Sequence, residues 1–400
     1  MLSLLAGQDN GITIILDELT RKEVARGAAA EVLPLAVKTA GAGGRLLLLP
    51  GTYILESTIE LPAGFTLCGS GRGTRLRAAS GFGGEAMLMG READQLTLEN
   101  FALSPMSPDG VRCGILLDRC GDASVHQVFA VGFAEYGIIL RRHSFLCRIH
   151  GCTTAGNGTA GILLQTLTCG GRGGDYVPNN ILGCTSYGER GSGFEADEAL
   201  CVNFTGCQVF QAARHGFWLH SASNSICISG CRAFECGGSG VLVDGTHEAN
   251  ISSNIFCWNK GHGIELNHAV WATVCGNNVI DSGGTEGGQV HGIYVHTDSR
   301  SVQITGNTVF NWEGHQPMLA GILETNECRD CGIVGNHVNY FSQAEGVICE
   351  GKGSHASGNV CVRECHAHPE KEPFVERRRN FQTKEFTTER IQKLIGEILA

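Results

Sequence analysis

The chain has 400 residues, a formal net charge of −10 and only 18% charged side chains. An acidic chain without a basic stripe excludes a nucleic-acid binder, because nothing would neutralise the phosphates. No apolar run is long enough for a membrane span, so no membrane partner is expected.

The opening run MLSLLAGQDNG lacks the basic segment and apolar length of a secretion signal. The 19 cysteines are odd in number, scattered, and often set in apolar runs such as SICISGC. They read as buried thiols of a reducing compartment, and a cytoplasmic location is expected. Residues 1–42 are expected to form an N-terminal cap, with an amphipathic helix over about residues 16–38.

From Gly43 a repeat takes over. A glycine followed by apolar, any, apolar recurs at Gly114, Gly137, Gly161, Gly193, Gly216, Gly240, Gly263, Gly292, Gly321 and Gly346. The spacing of roughly 23 to 32 residues is that of stacked coils, which overrides the two or three domains that length alone suggests. Alternation after each glycine (Ile115/Leu117, Ile138/Leu140, Ile162/Leu164, Phe217/Leu219, Val241/Val243, Ile264/Leu266, Ile293/Val295) predicts a strand with these side chains inward. Glu324, in an inward slot, is a charged exception.

About a dozen residues later each coil carries a turn signature, as in NFTGC, CISGC and QITGN. It ends on Cys152, Cys184, Cys207 and Cys231, then on Asn254, Asn277, Asn307, Asn336 and Asn359. Short polar or thiol side chains there are expected to tolerate left-handed turn geometry and to bond their copies in neighbouring coils, so they are scaffold. After Pro369 the charged segment 369–400 reads as a linker and a short amphipathic helix.

The pattern, together with GGRLLLLPGTYILESTIELPAGFTLCGSGRGTRL over residues 43–76, resembles the pectate-lyase-like superfamily. That resemblance implies an all-β fold, a single right-handed parallel β-helix over residues 43–368, capped at both ends. It fixes no activity, since the same fold serves lyases, hydrolases, epimerases, tailspikes and binding proteins. The motifs characteristic of polygalacturonases and the Tyr-Gly-x-Asp-Pro-His type motif of mannuronan epimerases are absent.

With this register, three outward columns can be read. The second position after the glycine runs Leu116, Ile139, Leu163, Glu195, Trp218, Leu242, Glu265, Tyr294. The fourth runs Asp118, Arg141, Gln165, Asp197, His220, Asp244, Asn267, His296. His215, Ser239, His262 and His291 precede the glycine. Coils about 4.8 Å apart make these one surface, on which GHGIELNHAV, RHGFWLH and VHGIYVH are related stretches. Solvated faces are usually Lys, Thr and Ser, so carboxylates, imidazoles and aromatics together mark a candidate cleft. Loops at 281–290 and 311–320 would wall it, as would the insertion at 168–180 with Arg172, Asp175 and Tyr176.

The leading expectation is a carbohydrate-active enzyme acting on glycosidic bonds of an oligo- or polysaccharide. Asp244 and Glu265 would be its acid/base pair with split proton affinities. Asp197 would be the reserve carboxylate, alternatively partnered by Glu195, with His220 and His262 as further catalytic groups. Trp218 and Tyr294 would hold sugar rings, and Glu195, His215, Asn267, His291 and His296 would contact substrate. No cofactor is expected. The alternative is a polyuronate lyase or epimerase using His and Tyr, with few cations (Arg141, Arg214, Lys260) and calcium on Asp197, Asp244 and Glu265 as a substitute. A third reading is a non-enzymatic metal-binding β-helix using His262, His291 and His296. Homo-oligomers, a trimer included, are compatible with the sequence. Asp175, Glu286 and Glu313 are the next candidates should the face carry no chemistry.

Overall fold

The computed structural model describes residues 2–107, 110–167, 178–283, 290–311, 317–363, 393 and 396. The expectations for Arg172, Asp175, Tyr176, Glu286, Glu313 and the C-terminal linker and helix lie outside these residues. The chain divides into two compact units. One holds the chain up to Arg190 with Ala199–Asn203, and the other Gly191–Glu198 and the chain from Phe204 onward.

The first unit begins with an antiparallel meander of Ser3–Asp9, Ile12–Asp17 and Glu23–Gly27. The helix covers only Ala29–Ala40, which corrects the expectation of a helix from residue 16. The reason is local. Asn10 and Gly11 take φ of 50° and 79°, as a two-residue hairpin turn requires, and the alternating run after them is a strand. The helix buries Val32, Leu33, Ala36 and Val37.

Ser3–Asp9 then pairs in parallel with Arg45–Leu48 and starts a stack that continues through Thr66–Cys68, Thr97–Glu99, Ser124–His126, Arg148–His150 and Asn179–Leu182. A second stack joins Thr74–Arg91, Cys113–Asp118, Tyr136–Arg141 and Ala160–Gln165. A third joins Ala102–Pro105, Phe129–Val131, Thr153–Ala155 and Thr185–Tyr187. Each coil thus contributes three short strands, every one paired with its copy one coil on.

The second unit repeats the plan. Its first-strand stack is Ser192–Asp197, Phe217–His220, Val241–Asp244, Ile264–Asn267, Ile293–His296, Ile322–Glu324 and Val347–Cys349. All of the alternating apolar side chains named above are fully buried, as the sequence requires. Glycine precedes the strand because the next coil leaves no room: a Cβ on Gly240 would lie 2.6 Å from the Gly263 carbonyl oxygen and 2.9 Å from Phe256 Cβ.

The turn column bonds from coil to coil. Asn254 Nδ2 donates to Ile228 O and to Asn277 Oδ1, both at 2.9 Å, and Asn277 and Asn307 repeat the pattern upward. In the cysteine stretch the Cys207 N–H points to Cys231 Sγ at 3.3 Å, and both thiols are buried. The left-handed residue, however, is the one before the column, Gly230, Ser253, Gly276 or Gly306, with φ from 58° to 64°. The Asn or Cys side chain is thereby left free to point inward. No disulfide joins two described cysteines. Glu324 is placed by its partners: fully buried, it accepts from Ser354 Oγ at 2.6 Å and Cys349 Sγ at 3.1 Å.

The outward slots of the first unit differ from expectation. Leu116, Ile139 and Leu163 are buried with Ala86, Met89 and Cys113 under the half-buried Tyr136, a second apolar cluster outside the coil. Beside it Arg141 is no free cation. Its guanidinium bridges Asp118 (3.1 Å) and Glu85 (2.9 Å), and Glu85 also receives Arg112 at 2.6 Å.

Candidate active site on the outer face of the second unit

Register in the second unit places Glu195, Trp218, Leu242, Glu265 and Tyr294 in one outward column. Asp197 pairs with His220, and Asp244, Asn267 and His296 follow in the adjoining column. Parallel in-register strands make this inevitable once the inward positions are apolar, since side chains alternate across the strand.

The imidazoles before the strand form a ladder of their own. The Ser239 N–H donates to His215 Nδ1 (3.0 Å), the His291 N–H to His262 Nδ1 (3.0 Å) and the Ala320 N–H to His291 Nδ1 (3.2 Å). A ring nitrogen that accepts a backbone N–H carries no proton, so each neutral ring holds its proton on Nε2. Burial disfavours the imidazolium, driving His215 and His291 down to about 4 and lowering His262 as well. These histidines are neutral donors at neutral pH, and two of them stack on each other 5.8 Å apart beside Tyr294.

Two polar groupings lie on this face. In the first, His220 Nδ1 is 3.4 Å from Asp197 and 2.9 Å from Ser221 Oγ, and its ring stacks on Trp218 at 4.2 Å. Burial lowers the His220 imidazole, with Asp197 and Asp244 opposing. The Arg214 guanidinium sits over the indole at 4.2 Å. Glu195 is 4% exposed, and burial pushes its carboxyl up to about 7, although Ser192 and then Arg214 pull the other way. Glu195 Oε1, Trp218 Nε1 and His220 Nε2 are buried and make no hydrogen bond within the protein.

In the second grouping, His296 Nε2 is 3.4 Å from Glu265 Oε1, and its ring stacks on Tyr294 at 4.3 Å. Ser239 Oγ donates to Glu265 Oε2 at 2.6 Å. Burial resists ionisation of Glu265, but His296 and Ser239 outweigh it and hold the carboxyl down to about 2. Asn267 Nδ2 donates to Asp244 Oδ1 at 2.7 Å, and Asn267 Oδ1 is buried without a partner. Burial raises the Tyr294 phenol, which stays protonated.

The structure gathers all twelve sequence-derived site residues on one face, and the expected pair, Asp244 and Glu265, stand on neighbouring strands with different partners. Asp244 is engaged by Asn267 and Glu265 by Ser239 and His296. On this face the carboxyl whose affinity for a proton rises is Glu195, because burial outweighs the opposing pull of Ser192 and Arg214. Ser239 was visible only as a column position; its role on Glu265 follows from the stagger of neighbouring coils. Among the described residues no three His, Cys, Asp or Glu side chains are placed to hold a metal ion. For His262 and His291 the Nδ1 lone pair is already committed to a backbone N–H.

The family model described as right handed beta helix region matches residues 113–279. No curated protein sequence matches the chain. Solved structures share the fold at low identity. The A-module of the mannuronan C-5 epimerase AlgE4 of Azotobacter vinelandii is 16% identical over 82% of this chain and 95% of its own, with a TM-score of 0.66. The periplasmic alginate epimerase AlgG is 14% identical over 79% of this chain and 78% of its own, with a TM-score of 0.57. Bacteriophage phi29 gene product 12 is 14% identical, covering 84% of this chain and 54% of its own with a TM-score of 0.60.

Proposed function

We propose that this right-handed parallel β-helix cleaves or transfers glycosidic bonds of a neutral oligo- or polysaccharide. Glu195 is the proton donor and Asp197 its carboxylate partner. The observation that carries this is Glu195 itself, raised to about 7 by burial, with one oxygen unpartnered, on the same strand face as Asp197. An acid poised near the working pH transfers a proton to a leaving oxygen most effectively.

Residues two apart along a strand are spaced about 6.6 Å. Carboxyls borne on backbone positions so spaced can reach either the roughly 5 to 5.5 Å of retaining chemistry or the roughly 6.5 to 9.5 Å that leaves room for an attacking water. His220 supports Asp197, and the indole N–H of Trp218 and the Nε2 atoms of His215 and His220 are positioned to meet sugar hydroxyls. In this role the aromatic residues act through their edges as well as their stacked rings.

The neutral substrate follows from charge. Glu195, Asp197, Asp244 and Glu265 line the face, and the guanidinium set among them, Arg214, is already over Trp218. A polyuronate would meet repulsion there, so likeness of fold to alginate epimerases does not bring their substrate with it.

Mass spectrometry of a panel of neutral and uronic oligosaccharides tests the reading. Gain of water on a neutral member, or a new product of transferred sugar, is expected. Scission of a uronate without gain of water, with an unsaturated fragment one water lighter than the hydrolysis product, or solvent deuterium entering it without cleavage, replaces this reading with lyase or epimerase.

A further inference from the structure

The two polar groupings are copies of one device. Glu-x-Asp at 195–197 followed one coil later by HGFWLHSAS (215–223) matches Glu-x-Asn at 265–267 followed one coil later by HGIYVHTDS (291–299). The agreement extends to geometry. The imidazole lies 3.4 Å from a carboxylate of the preceding coil in both, although the contact differs: His220 Nδ1 to Asp197 in the first copy, His296 Nε2 to Glu265 in the second. It stacks on the aromatic ring two residues earlier at 4.2 and 4.3 Å. Its Nδ1 meets the next hydroxyl at 2.9 and 2.7 Å. The following serine, Ser223 or Ser299, donates to the carbonyl of that histidine at 2.7 Å in each copy. It also donates to the preceding coil, to Ala196 O at 3.1 Å or Leu266 O at 3.2 Å.

The copies differ where a reaction would need them to agree. Asn267 stands where the first copy has Asp197, and an amide cannot act as a base. Glu265 accepts from Ser239 on Oε2 and faces His296 Nε2 at 3.4 Å, an ion-pair distance without a hydrogen bond, whereas Glu195 Oε1 is buried with neither among the described residues. The second copy thus keeps the parts that orient and lacks those that transfer protons. It still presents unmet polar valence, Asn267 Oδ1, beside the Tyr294 ring. Three coil steps separate the copies on one face, roughly 14 Å at strand spacing.

We infer that the Tyr294 copy is a holding site for a second, distant sugar residue of the same chain that is cut at the Trp218 copy, so that the preferred substrate is an extended neutral glycan long enough to span both. This rests on the glycosidic reading above. Joining two sites on one ligand makes the second contact intramolecular, and affinity then rises in a step once the chain reaches it.

The test is calorimetric titration of Glu195→Gln protein, which does not cut, with neutral oligosaccharides graded from disaccharide to octasaccharide. Affinity is expected to rise on the order of a hundredfold at one chain length, and Tyr294→Ala or His296→Ala, both outward-facing, should each abolish the step. Affinity that does not change with length, or a step that survives both substitutions, overturns the inference while cleavage of the panel by the unsubstituted protein keeps the glycosidic reading. Absence of binding at every length, with no change of mass in the panel, overturns both.

Discussion

The outward slots of the two units occupy the same positions of the same strand and do opposite things. In the first unit the second and fourth slots hold Leu116, Ile139 and Leu163, packed in a cluster, and Asp118 and Arg141, joined in an ion network with Glu85. In the second unit those slots hold Glu195, Trp218, Glu265 and Tyr294, and Asp197, His220, Asn267 and His296. Several of their atoms have no partner in the protein. Polarity alone does not mark a site, since Asp118 and Arg141 are as polar as anything in the cleft. What separates the two faces is that Asp118, although its Oδ1 makes no hydrogen bond among the described residues, is surrounded by Arg119, Arg141 and Arg142, whereas Glu195, Trp218 and His220 each leave an atom unpartnered on a face that a ligand would fill.

The comparison breaks most visibly at Glu195. Glu195→Gln should lower turnover by about a hundred- to ten-thousandfold, the loss expected when acid help is removed, with the fold unchanged by circular dichroism. In the unsubstituted enzyme turnover should fall as pH rises through about 7, where Glu195 gives up its proton. A variant with near-normal turnover, or a rate that stays level to pH 9, would move the chemistry off this carboxyl.

A second buried glutamate sharpens the contrast. Glu189, in the first unit, accepts from the Asn157 N–H at 2.6 Å and from Ser186 Oγ at 3.0 Å, yet full burial pushes it up to about 8. Both glutamates have native values raised above the ordinary 4.5. The native state therefore holds more protons than the unfolded chain between these values, and stability falls as pH rises. The contribution is complete below about 4.5 and is lost through about 7 for Glu195 and about 8 for Glu189. Urea midpoints across this range should decline. In Glu189→Gln the decline should end near 7, and in Glu195→Gln it should continue to near 8. Identical profiles in the two variants would contradict the assignment.

The closed face should respond through stability instead. Arg141→Met leaves Asp118 and Glu85 without their bridge in a buried setting, and removing one partner of such a pair costs about 3 to 5 kcal/mol. The urea midpoint should fall accordingly, while turnover per folded molecule stays at the unsubstituted level. A midpoint shift under about 1 kcal/mol would mean that Arg112, Arg119 and Arg142 carry the network.

Much of this was legible in the residues. Inward alternation after each glycine fixed the strand faces, and a period-two register leaves no freedom once one face is apolar. The asparagine column announced itself because its copies recur and must bond each other. The N-terminal meander was hidden by an apolar run that fits helix and strand periods alike, although Asn10-Gly11 was a turn signal at its centre. Which carboxyl on the face holds a proton most tightly was hidden for a different reason. Asp244 and Glu265 satisfy the spacing rule on the strand, but which carboxyl is protonated depends on what buries it and what donates to it. For Glu265 the donor Ser239 comes from a neighbouring coil. The duplication of Glu-x-Asp/Asn with the nine-residue HG stretch was readable throughout. It looks like one more turn of the repeat until the stacking and hydrogen-bond distances coincide.

The smallest expected effects test whether the two faces differ in packing as well as in valence. Ile139 and Leu242 fill the same slot of the same strand, one fully buried in the closed cluster and the other half-buried in the cleft. Truncating Ile139 to alanine removes methyl groups from a packed cluster and leaves a cavity, a loss of about 2 to 5 kcal/mol. Truncating Leu242 removes contacts from a surface already shared with water, and substitutions of that kind usually stay within roughly 0.5 kcal/mol. Leu242→Ala should therefore barely move the urea midpoint. Because Leu242 separates the two copies in the column, its loss should show instead as weaker binding of chains long enough to cross it. Equal destabilisation by the two substitutions would mean that Leu242 is packed as Ile139 is, and that the cleft is closed between its two ends.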